Sequence, residues 1–148
     1  MVGLLARACE RLVGSIFAAL DDAGFATVSS TNALAVRMLA AGPMTAGALA
    51  VGLGVTPQAA GKVSAELESQ GLALRGSDPR DARARPLTLT AEGLRMADAM
   101  QQAESAAVER WRSAADPDDL EALVRALRAY LDSTTPPRAP QARRIRFT

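Results

Sequence analysis

Apolar side chains recur at three- and four-residue steps from the start of the chain. Leu5, Cys9, Leu12, Ile16 and Leu20 form a stripe that Val13 and Phe17 widen. This spacing predicts a helix over 2–23, stopped by Gly24. A stripe so wide on one helix implies contact on more than one side. A second helix is predicted over 30–41, opened by Ser29 or Ser30 and closed by Gly42-Pro43, with Leu34, Met38 and Leu39 facing inward.

Two shorter helices follow. Thr45 is the N-cap candidate of the first, Leu49, Ala50 and Leu53 are its inward positions, and Gly54 is its left-handed end. Thr56 caps the next, Pro57 occupies its first turn, and Ala60, Val63 and Leu67 make its stripe up to about Gln70. Then the period changes to two. "LALR" (72–75) and "PLTL" (86–89) read as strands of a β-hairpin, with Leu72 and Leu74 expected on one face with Leu87 and Leu89.

Thr90 caps a long helix over 91–113, ~34 Å at 1.5 Å per residue. Leu94, Ala97, Met100, Ala103, Ala107 and Trp111 mark its apolar side. The last helix starts at Asp116-Pro117-Asp118-Asp119, with acids at the positive dipole end and a seam of Leu120, Leu123, Val124, Leu127 and Leu131. The fold class expected is mainly α with a small β-hairpin.

Composition adds three constraints. Of 148 residues 49% are hydrophobic but only 3% aromatic, and alanine supplies much of the apolar fraction. Small side chains bury little area, so a lone subunit has a thin core and dimerisation would complete it. There is no histidine and one cysteine. This rules out the usual Cys/His zinc site, an internal disulfide and His-dependent catalysis, and an enzyme is the weakest reading. No run reaches membrane-spanning length and no signal-peptide pattern opens the sequence, so the expectation is a cytoplasmic protein without membrane contact. The net charge of +1 hides an asymmetry. Residues 133–148 carry Arg138, Arg143, Arg144 and Arg146 and no acid, whereas the rest has 13 basic and 16 acidic residues. That tail is read as a basic, Pro-rich extension that is disordered by default, folds back on the body, or lends nonspecific attraction to an anionic partner.

The short helix, turn and helix over 46–70 have the form of a helix-turn-helix, and the hairpin directly after it makes a winged helix. The loop between the strands, "SDPRDARAR" (77–85), is far longer than a turn requires and can bury nothing. As a wing tip it would present Arg80, Arg83 and Arg85 to a narrow minor groove, with Asp78 and Asp81 structuring the loop. On the second helix of the motif the exposed positions are Gln58, Ala59, Gly61, Lys62, Ala65 and Glu66. Gln58 could bond adenine edges and Lys62 a guanine or phosphate, and Thr56 could cap the helix, contact phosphate, or both. Ala59 and Gly61 offer methyl contact and close backbone approach instead of hydrogen bonds. The alternatives are a solvated helix face and a solvated charge run.

The segment "GPMTAGALAVGLGVTPQAAGKVSAELESQGLALRGSDPRDARARPLTLTAEG" resembles the MarR (multiple antibiotic resistance regulator) family of bacterial transcription factors. The wing carries the likeness furthest: "DPRDARARPLTLTAEG" is similar to the family's Asp-Pro-x-Asp-Arg-Arg, strand and Thr-x-x-Gly, with Ala82 where the first arginine of the pair stands. The resemblance spans about residues 25–132. It implies a homodimer on double-stranded DNA, with a dimerisation helix over 1–24, a winged helix over 25–90, dimerisation helices over 91–132 and the tail beyond. Leu5, Leu12, Ile16, Leu120, Leu123 and Leu127 are then dimer contacts. It also implies repression of a pseudo-palindromic operator, relieved by a small lipophilic or phenolic ligand, and no cofactor or metal. The ligand-binding residues stay unassigned; Trp111 and Met100 are candidates for a pocket and equally for packing. Arg37 is open between phosphate contact and the dimer-facing surface. Cys9 is expected to be a buried, inert thiol rather than a peroxide sensor. The competing class is a winged-helix interaction module that dimerises or docks on protein and does not read DNA.

Overall fold

The computed structural model describes residues 1–76 and 85–133. Its elements, in order, are α1 (Val2–Asp22), α2 (Ser30–Leu39), α3 (Ala46–Leu53), α4 (Pro57–Ser69), β1 (Ala73–Arg75), β2 (Leu87–Leu89), α5 (Ala91–Ala114) and α6 (Pro117–Ser133). Each start expected from a hydroxyl cap is a real cap. Ser29 Oγ accepts from Asn32 N–H, Thr45 Oγ1 from Ala48 N–H, and Thr56 Oγ1 from Ala59 N–H. These bonds satisfy backbone donors that no helical carbonyl can reach. Gly54, at φ 65°, ends α3 in the left-handed region, and Val55 N–H then reaches back to the Ala50 carbonyl. A side chain with a Cβ would strain that turn.

Residues 1–108 form one compact unit; the second, from Glu109 onward, contains the end of α5 and α6. The core of the first unit gathers Leu20 from α1, Phe25 and Val28, Val36 and Leu39 from α2, Leu49 from α3, Val63 and Leu67 from α4, Leu72, Leu87 and Leu89 around the hairpin, and Met96 and Met100 from α5. Only Leu20 of α1 is buried, and no residue of α6 is.

The hairpin pairs Ala73 with Leu89, Leu74 with Thr88 and Arg75 with Leu87. This corrects the expected face. Directly opposed residues share a side of the sheet, so Leu74 points away from Leu87 and Leu89 and is half exposed, while Ala73 is buried. Leu72 is buried as expected, but just before the strand, where its N–H bonds the Leu67 carbonyl at the end of α4. The chain between α2 and α3 adds an unforeseen bridge: Met44 and Leu87 exchange both backbone hydrogen bonds, at 3.0 and 2.7 Å.

Three further expectations need correction. Leu34 on α2 is exposed, and Ala33, Ala35 and Val36 take the inward side with Leu39. Leu94 on α5 is exposed, and Met96 is the fully buried residue of that first turn and a half. Helices with many alanines carry several equally good stripes, and tertiary neighbours select among them. Cys9, expected to be buried, is exposed.

Candidate nucleic-acid interface

α3 and α4 pack against each other across the Gly54 turn, with Leu49, Ala50, Ala60, Val63 and Leu67 turned to the interior. Ser64 is buried as well and bonds back to the Ala60 carbonyl within the helix. The opposite side of α4 is open. Gln58 and Lys62 are exposed, Ala59 and Gly61 half-buried, and Thr56 is exposed while it caps the helix. An added Cβ at Gly61 would meet no heavy atom within 4 Å, so this glycine is not required by packing.

The base of the wing is fixed from three directions. Gly76 N–H donates to the Pro86 carbonyl at 2.8 Å, where the two chains leave the hairpin. Arg75 Nε donates to Glu68 Oε2 at 3.0 Å and ties β1 to α4. Thr90 Oγ1 donates to the Gly71 carbonyl at 2.6 Å and accepts from Gly93 N–H at 3.1 Å, while Thr90 N–H bonds the Leu72 carbonyl. One threonine therefore caps α5 and holds the α4–β1 turn. Gly93 has no room for a Cβ, which would collide with the Leu72 carbonyl oxygen. This gives the Thr-x-x-Gly element of the sequence a physical reason. Arg85 is exposed at the foot of β2. Asp78, Arg80, Asp81 and Arg83 lie outside the described residues.

Two carboxylates on α4 have partners that the sequence reading missed. Glu68 pairs with Arg75, and Glu66 Oε2 accepts from Asn32 Nδ2 of α2 at 3.1 Å. Asn32 is 1% exposed. A signal existed: 32 falls in register with the buried 35, 36 and 39, so a polar residue stood on an inward stripe.

Of the expected dimer residues, Leu5 is exposed and Leu12 and Ile16 are half-buried on α1. In the second unit Leu120, Leu123 and Leu127 are half-buried on α6. Within the first unit, a groove of about 460 Å³ lies between α2 and α5, lined by Arg37, Ala40, Leu94, Ala97, Met100 and Glu104 among others. Arg37 pairs there with Glu104. Met100 lines this groove and is also a core residue.

No family model matches the chain, and no curated protein does. Solved structures do. Rv1404 from Mycobacterium tuberculosis superposes with a TM-score of 0.76 at 23% identity, over 89% of this chain and 90% of that one. The MarR family protein Rv2887 of the same organism, in complex with salicylic acid, is 29% identical with a TM-score of 0.62, over 86% of this chain and 93% of that one. The chain is thus similar in fold and sequence to MarR-family regulators. A more distant structure of the same fold is a mutant of Staphylococcus aureus MepR bound to an oligodeoxyribonucleotide, at 18% identity and a TM-score of 0.63, over 89% of this chain and 96% of that one. α4 offers little hydrogen-bonding capacity on its open face. Gln58 and Lys62 are its only exposed side-chain donors besides Ser69 and Gln70 at the far end.

Proposed function

We propose that the protein is a homodimeric, sequence-specific DNA-binding transcriptional repressor, acting in the cytoplasm and released by a small lipophilic or phenolic ligand. The observation that carries this reading is the open face of α4, capped and braced by the winged-helix core but left uncovered by the described residues. An α-helix so presented fits the major groove, and a two-fold pair would span half-sites ~34 Å apart. Gln58 and Lys62 then meet base edges or phosphate. Ala59 and Gly61 approach closely, and Thr56 contacts phosphate from the helix start. Arg80, Arg83 and Arg85 reach the neighbouring minor groove, with Asp78 and Asp81 shaping the loop.

Residues 25–90 are assigned to DNA, 1–24 and 91–132 to the dimer, and 133–148 to a nonspecific electrostatic role. The apolar faces of α1 and α6, of which only Leu20 is fully buried within the chain, support the dimer. The groove between α2 and α5 supports the effector: its volume suits a small aromatic acid, and Arg37 would meet the carboxylate once Glu104 gives way. The salicylic acid complex of Rv2887 supports the same chemistry.

Fluorescence anisotropy with duplexes recovered from a random-sequence pool tests the reading. Salt-sensitive, specific binding that is weakened by Arg83→Ala and by salicylate supports the repressor. Absence of binding at low salt refutes it and favours a winged-helix module that docks on protein.

A further inference from the structure

Lys62 is the only lysine in the chain, whose other 16 basic residues are arginines. It stands on the open face of α4, four residues before Glu66. That spacing on a helix ordinarily brings an ammonium and a carboxylate together. Here it does not. Glu66 Oε2 accepts from Asn32 Nδ2 at 3.1 Å, and among the described residues Lys62 makes no ion pair or side-chain hydrogen bond. Glu68, the other acid of the helix, is held by Arg75.

The competition has a clear physical winner. A carboxylate accepting from an amide that is shielded from water makes a charge-assisted hydrogen bond. The alternative is an exposed pair with the lysine on the N-terminal side, the weaker of the two helical orientations. The amide orientation is fixed by the same contact, since the reverse would press Asn32 Oδ1 against the carboxylate. Among the described residues Oδ1 is left buried without a partner. An apolar side chain would avoid that cost, so a packing role does not account for an asparagine at this place.

We propose that Asn32 is a positioning residue for DNA binding: by drawing Glu66 off the open face of α4, it keeps the sole lysine uncommitted and available to phosphate or guanine. This rests on the reading of α4 as a DNA-recognition helix, but its first consequence is measurable without DNA. Without Asn32, Glu66 swings back to Lys62. An exposed pair at this spacing shifts the equilibrium by about a factor of two.

The test uses the full chain. Acylation of the Lys62 amine by an N-hydroxysuccinimide ester is followed by mass spectrometry, with thermal melting as the check on folding. In Asn32→Ala, or the nearly isosteric Asn32→Leu, Lys62 reacts about twofold more slowly, and adding Glu66→Ala restores the rate. With Asn32 in place, Glu66→Ala alone leaves the rate unchanged, a comparison that does not depend on whether the Asn32 variants fold. On a selected duplex with two half-sites, Asn32→Ala weakens binding about fourfold, and Glu66→Ala in that background recovers it. A merely structural Asn32 gives a loss that Glu66→Ala does not rescue. That result overturns the proposal, as does faster acylation in Glu66→Ala alone. If the wild-type chain binds no duplex while the acylation pattern holds, the DNA-recognition reading fails and the Asn32–Glu66–Lys62 coupling stands.

Discussion

Gly61 separates stability from function at a single position. It lies mid-helix in α4 with ordinary helical backbone, since the positive-φ glycines are 24, 42, 54 and 71. A Cβ added there meets nothing within 4 Å. Gly61→Ala therefore carries no packing cost, and it gains the full difference in helix propensity, about 1 kcal/mol. For a cooperative unit of this size that raises Tm by about 4 °C. The same methyl group projects beside the open face. If the α4 backbone approaches DNA closely at this point, the methyl costs about 1 kcal/mol per half-site, about fivefold. Two half-sites multiply to about 25-fold. Calorimetry reads the first effect and anisotropy on a selected duplex reads the second. A raised Tm with unchanged affinity refutes close approach at Gly61, and a lowered Tm refutes the argument from open space.

Three further outcomes follow from the contacts. Gly93→Ala drives a Cβ into the Leu72 carbonyl, which is backbone and cannot step aside; Tm should fall by about 10 °C or more, whereas Gly52→Ala, whose Cβ meets only the flexible end of Met38, should shift it by less than half as much. Thr90→Val keeps the shape but removes both the bond to the Gly71 carbonyl and the cap on Gly93 N–H, a loss of about 2 kcal/mol that a denaturant titration would detect. Leu123→Glu places a charge on the half-buried seam of α6, and if α6 forms the proposed dimer, sedimentation should report a dimer for the wild type and a monomer for the variant; an unchanged mass would remove α6 from the interface.

Local features were legible in the residues alone. Thr45, Gly54, Thr56 and Pro57 set the ends of α3 and α4 through bonds that span no more than a few residues, so the helix-turn-helix could be read without any knowledge of its surroundings. Thr90 was legible as a cap for the same reason. The wing was recognised from its residues, although most of its tip lies outside the described part of the chain. Everything that depends on distant neighbours needed the packed chain. Packing chose which stripe of alanine-rich α2 faces inward, exposing Leu34 and burying Asn32, because several stripes were nearly equal in area and the core could accommodate only one. It set the hairpin register, in which one residue of slip moves Leu74 from core to solvent. It also brought Asn32 to Glu66 across 34 positions of sequence. Helical periodicity states that Lys62 and Glu66 are neighbours; only the packing of α2 against α4 determines that they do not pair.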